Sequence, residues 1–239
     1  MTIMDADDLL PNPWDLLAGA DWASLEHACG SAAGTPALLA GLLADDAGAQ
    51  ARALRHLNDP VHHQNTIYSA TVPAALYVAA ILSDPRTGTV VADRDGQALP
   101  LRAALLAWVT SVAIEVDTEA EAKMADVGLC LEEHPESVQV RALRPRLFQA
   151  VSGVLHAPDL AVQEAAIAAA VSLLDAPELV QQRAFLTPLV RDVLVSSDNR
   201  SYRFIAGRGL KSWGEGTDVL PDDQDADLWA GGCSSEPPF

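Results

Sequence analysis

Aromatic side chains are scarce in this chain: they make up 5% of its 239 residues against 49% hydrophobic residues overall, so a core must come from Ala, Leu and Val. Those residues suit closely packed helices, of which Ala and Leu are the best intrinsic formers. Basic residues are short too, 15 Lys and Arg against 33 Asp and Glu, for a formal charge of -18. A field of that sign repels phosphate backbones and anionic lipid, which argues against nucleic acid as a general partner and against a membrane. The three cysteines, Cys29, Cys130 and Cys233, are odd in number and far apart. Without a CxxC or a His at zinc-finger spacing they form neither a disulfide framework nor a zinc site, and they fit a reducing cytoplasm.

No apolar run approaches the ~20 residues that span a bilayer. The longest weakly polar stretch is Val72 to Leu82, and the first residues, MTIMDADDLL, are acidic where a signal peptide would be basic. The expectation is a cytoplasmic protein. GxSxG and a Gly-rich phosphate loop are both missing, so no catalytic residue, metal or other cofactor is expected. Gly207-Arg208-Gly209 is too short for a phosphate loop and reads as close helix packing.

What is present is helix punctuation at short intervals. Thr35-Pro36, Asp45-Asp46, Thr71-Val72-Pro73 and Asp175-Ala176-Pro177 each precede an Ala/Leu-rich run. A capping side chain followed by Pro, whose missing N–H would be unpaired in the first turn anyway, is a helix start. Strand signals are confined to Arg86–Gln97, RTGTVVADRDGQ, where a short hairpin and an ordered loop both fit. DLAVQEAAIAAAVSLLDAP from Asp159 and DNRSYRFIAGRGLKSWGEG from Asp198 begin 39 residues apart, and DAGAQARALRHLNDP from Asp46 and SVQVRALRPRL from Ser137 repeat the phrasing. Periods near 40 residues built from helix pairs point to a solenoid, in which stacking of repeats creates the core.

DLAVQEAAIAAAVSLL resembles a HEAT repeat: Asp, an apolar residue, then Ala and Leu at helical spacing. HHQNTIYSATVPAALYVAAIL is similar to a His-Gln-Gly-Thr-aromatic-x-Ala-Thr segment of bacterial, often actinobacterial, HEAT-like proteins of unassigned function. His63, Gln64, Thr66, Tyr68, Ala70 and Thr71 match, and Asn65 replaces Gly. Asn tolerates left-handed backbone better than other non-Gly residues. The resemblance implies an all-α fold, a right-handed α-α superhelix of about five HEAT-like hairpins over residues 20–213, and brings no reaction with it. Residues 1–19 form an N-terminal segment. From Gly214 the chain has seven acidic residues, no basic ones and much Gly, Pro and Ser, the composition of an acidic, flexible tail in which Leu228-Trp229 is a short docking candidate.

Two clusters are candidate binding sites. VHHQNTIYSAT, Val61–Thr71, offers His62, His63, Gln64, Asn65 and Tyr68. With His56 and Asp59 it holds metal-type donors, but adjacent histidines point apart on any regular element and no HExxH follows. Loop ordering by His63, Gln64 and Thr66 is the favoured reading, since a buried loop must satisfy its polar backbone; a pocket remains the alternative. The second cluster is basic: Arg200, Arg203, Arg208 and Lys211, with Arg141, Arg144 and Arg146 one repeat earlier. HEAT-like DNA glycosylases present such groups to a duplex, which makes an enzyme acting on damaged bases the alternative function. The net acidity opposes it, and Trp108 and Trp213 sit on apolar helices as core. The expected function is therefore a non-enzymatic, macromolecule-binding scaffold for a protein partner, for instance an immunity or regulatory protein covering a basic surface. The oligomeric state is left open.

Overall fold

The computed structural model describes residues 10–92 and 96–216. Helix dominates them. In chain order the elements are α1 (Pro13–Gly19), β1 (Glu26–His27), β2 (Gly30–Ser31), α2 (Thr35–Leu39), α3 (Ala47–His56), α4 (Thr71–Ile81), β3 (Val90–Ala92), β4 (Ala98–Pro100), α5 (Leu101–Ile114), α6 (Thr118–Asp126), α7 (Pro135–Ser152), α8 (Leu160–Leu173), α9 (Arg183–Ser196) and α10 (Arg200–Ser212). Short 3-10 turns and one π turn, Leu57–Val61, join them. Among the described residues no helix is long and apolar enough to cross a membrane.

Most helix starts fall where the sequence places them, but Thr35 and Thr71 are the first residues of α2 and α4 rather than their caps, their hydroxyls going to His56 and to the Val61 carbonyl. Asp46 accepts hydrogen bonds from the N–H groups of Gly48 and Ala49, and Asp159 from that of Val162. α10 starts one residue late, since Asn199 rather than Asp198 takes the N–H of Tyr202. Asp175-Ala176-Pro177 opens a 3-10 turn, Pro177–Gln182, instead of an α-helix; the Asp175 carboxylate bonds Thr118, on another element. The Arg86–Gln97 stretch contributes to a hairpin, β3 and β4 pairing antiparallel with Val91 opposite Leu99. Val91 is buried in the ribbon.

The core is aliphatic, and α8 is its axis. Eleven of its residues are buried, including an unbroken run from Glu164 to Leu173, because α5, α7, α9 and α10 surround it. Small side chains permit the approach. A Cβ on Gly209 would lie 2.4 Å from Val171 Cγ1, so α10 meets α8 closer than any other residue allows. Trp108, 2% exposed, donates its indole N–H to the carbonyl of Leu57 at 3.1 Å, which satisfies the one polar atom of a core ring. α4 packs on α7, α5 on α8, and α8 on α10, while α7–α8 and α9–α10 also pack as consecutive pairs. α1, in the segment set apart as residues 1–19, packs on α4. α6 has no fully buried residue and meets the core through the partly buried Met124. Beyond Gly216, the acidic tail with Leu228 and Trp229 lies outside the described residues, as does Cys233.

Candidate functional site

The Val61–Thr71 loop is held by side chains other than those expected. His62 is buried, with Nδ1 3.1 Å from the carbonyl of Thr66 and Nε2 2.9 Å from Ser111 Oγ on α5. A carbonyl can only accept, so Nδ1 carries the proton and Nε2 accepts from the Ser111 hydroxyl. The ring stands edge-on to Trp108 at 6.2 Å. Burial pushes its pKa down to about 4, against a smaller opposing effect of the Thr66 hydrogen bond, so the imidazole is neutral at pH 7. Both nitrogens are occupied, which removes His62 from any metal-ligand set.

Thr71 does the rest. Its hydroxyl donates to the carbonyl of Val61 at 2.6 Å and accepts the N–H of Tyr68 at 3.0 Å, pinning both ends of the loop to the start of α4. Gln64 and Asn65 are exposed at φ 47° and 60°, the left-handed geometry for which Asn is the best substitute for Gly. The ordering role expected of His63, Gln64 and Thr66 is thus corrected. Among the described residues the His63 ring makes no hydrogen bond, and only its carbonyl is used, by the N–H of Thr66. Tyr68 is partly buried. Ser69 and Ala70 tie the loop to Glu26 of β1, and the N–H of Ala28 bonds the carbonyl of Pro60. His63, Gln64 and Asn65 remain as the outward part of the loop.

The basic residues do not form one stripe. Arg208 lies 3.0 Å from Asp117 and 3.1 Å from Glu119; Arg141 lies 3.0 Å from Glu121 and also donates to the carbonyl of Val116. Arg144 is buried, donates to the same carbonyl and faces Asp175 at 3.4 Å. Arg203 donates to the carbonyl of Ser197. Arg200 and Lys211 stay exposed, at opposite ends of α10, about 16 Å apart at 1.5 Å per residue. The cluster that the sequence reading missed is the network that these arginines enter, around the Val116–Thr118 turn between α5 and α6. Burial raises the pKa of Asp117, opposed by the Ala120 N–H and Arg208, and burial with the nearby Asp117 charge pushes Glu115 up to about 7. A cleft of about 100 Å³ beside it is lined by Asp117, Asp175, Arg183, Arg208 and Trp213, with the Arg183 guanidinium 6.0 Å from the Trp213 ring centre. Trp213 is only partly buried.

The least conventional surface is the α6–α7 connection. Gly128, at φ 79°, closes α6 with the N–H of Gly128 on Ala125 and that of Leu129 on Met124, a Schellman turn. The turn leaves Val127 72% and Leu129 52% exposed, while Leu131 is buried and roots the segment. Asp126, Glu132 and Glu133, which flank it along the chain, are exposed, Glu132 lying 3.7 Å from Arg141, and Cys130 is an exposed free thiol. Its signal in the sequence was a Gly after a helical run, with aliphatic residues placed between carboxylates. No family model matches the chain, and neither a curated protein nor a solved structure matches it.

Proposed function

We propose that this protein is a non-enzymatic scaffold that binds another protein, a basic one, through the protrusion made by α6 and the α6–α7 connection. The observation that carries the reading is the tip itself: two exposed aliphatic side chains, Val127 and Leu129, with exposed carboxylates of Asp126, Glu132 and Glu133 flanking them along the chain, Glu132 being 3.7 Å from Arg141. An apolar centre with a charged rim is how protein interfaces are built, and a rim of one sign selects the opposite sign and speeds encounter. The engagement of Arg141, Arg144 and Arg208 with carboxylates favours this over the glycosylase alternative, which needs such groups turned to a duplex.

The architecture proposed with it is a right-handed α-α superhelix of HEAT-like hairpins. Its support is the packing of α4 on α7 and α5 on α8, with α7–α8 and α9–α10 as consecutive pairs. About five such hairpins, the number expected from the sequence, belong to this proposal. The exposed thiols Cys29 and Cys130 suit the cytoplasm, where we place the protein. Affinity capture from a cell extract tests the function. Wild type should retain a basic protein that salt releases, and Val127→Asp/Leu129→Asp should lose it with an unchanged melting curve; equal capture by both would refute the assignment.

A further inference from the structure

A second exposed apolar surface lies between α7 and α9. α7, the Pro177–Gln182 turn and α9 enclose a groove of about 410 Å³ lined by Pro145, Arg146, Phe148, Leu179 and Phe185. Phe185 is 52% exposed, its ring edge-on to His156 at 6.3 Å. Arg146 is exposed at the rim, and among the described residues no carboxylate lies within ion-pair distance of it. An apolar floor beside an uncompensated guanidinium is chemistry for a segment that joins an aromatic or aliphatic side chain to a carboxylate.

The path of the chain indicates which segment. Gly214, at φ 75°, ends α10 in a second Schellman turn, with the N–H of Gly214 on Lys211 and that of Glu215 on Leu210. The turn sends the chain onto α9, where Arg191 holds the Glu215 carboxylate at 2.8 Å and the carbonyl of Gly216 at 3.3 Å. Arg191 and Phe185 are six residues apart on α9, about 9 Å along its axis, on opposite flanks of its exposed face. Leu228 lies twelve positions beyond Gly216, an extended reach of about 40 Å, which is ample to cross a helix about 10 Å wide. The sequence there is Asp225-Ala226-Asp227-Leu228-Trp229: carboxylates, then the one apolar pair with an indole beyond Gly216.

We propose that Asp225–Trp229 docks in the α7–α9 groove of its own chain, Trp229 against Phe148 and Phe185 and an aspartate on Arg146. The α6–α7 protrusion has no part in this docking, so either assignment stands without the other. The test is disulfide trapping in the full-length chain with Cys29, Cys130 and Cys233 replaced by Ser. With Trp229, Phe148 and Phe185 all kept, Gln182→Cys/Ala230→Cys, whose first position also lines the groove, should close an intramolecular disulfide at least about tenfold faster than Lys211→Cys/Ala230→Cys, because docking raises the effective concentration of one pair and not the other. Adding Arg146→Glu should slow the Gln182 pair severalfold while leaving the Lys211 pair unchanged. Equal rates for the two pairs, a faster Lys211 pair, or a disulfide that joins two chains would overturn the proposal, the last by assigning the groove to a second copy.

Discussion

Acidification should unfold this protein partly through one ring, His62. Its pKa is about 4 in the fold against 6.5 ordinarily, and the ring is 5% exposed, so little solvent discount applies. Between these values the unfolded chain binds more protons than the folded one. Stability from this group is therefore complete above about pH 6.5 and is lost as pH falls toward 4. At 1.36 kcal/mol per pKa unit the loss is about 3 kcal/mol, a large share of the stability of a typical domain. In structural terms, a protonated Nε2 could no longer accept from the Ser111 hydroxyl, and the charge would sit beside Trp108. Urea unfolding of wild type and His62→Gln from pH 8 to 4.5 measures it. The variant should be less stable at pH 7.5 by about 1–3 kcal/mol, the cost of poorly satisfied buried partners, and the gap should narrow or invert toward pH 4.5. Curves that stay parallel across this range would refute the assignment of the buried titration to His62. His63→Ala, one residue away with an unbonded ring, should change stability by no more than about 0.5 kcal/mol at any pH.

Glu115 has the opposite sign: its pKa is raised to about 7, so its carboxylate destabilises the fold increasingly as pH rises from about 4.5 to 7. Glu115→Gln should melt higher than wild type at pH 8, by about 1 kcal/mol after allowance for its partial exposure, and alike at pH 4. Gly209→Ala should lower stability by about 1–3 kcal/mol in chemical denaturation although Ala is the better helix former, because its Cβ overlaps Val171; Val171→Ala in the same chain should restore part of the loss. Asp175→Asn should cost about 2–3 kcal/mol by leaving the buried Arg144 guanidinium short of its counter-charge, with a loss below about 0.5 kcal/mol counting against the network.

What could be read in the sequence was whatever depends on neighbours along the chain. Asp46 and Asp159 are caps because the N–H groups that they accept from lie two or three residues away, and Trp108 reads as core because its helix is apolar all round. Tertiary partners were beyond that reach. Asp175 looks like a cap and instead serves Thr118, 57 residues earlier; Arg208 looks like part of a basic face and is taken up by Glu119, 89 residues away. His62 and His63 are indistinguishable by type, and only the turn after Pro60 decides which ring meets Ser111 and Trp108. The apolar tip at Val127 and Leu129 escaped notice because two aliphatic residues in a connection read as core until the Gly128 turn is seen to direct them outward.

Hydrogen exchange on the captured complex tests the central claim, that α6 and its following connection bind a basic protein. Slowed exchange confined to about residues 118–133 relative to the free chain is the predicted footprint, since binding there excludes solvent from amides whose helix has no buried residue of its own. Unchanged exchange over that segment, with protection on the Val61–Thr71 loop or on α10 instead, would contradict the account.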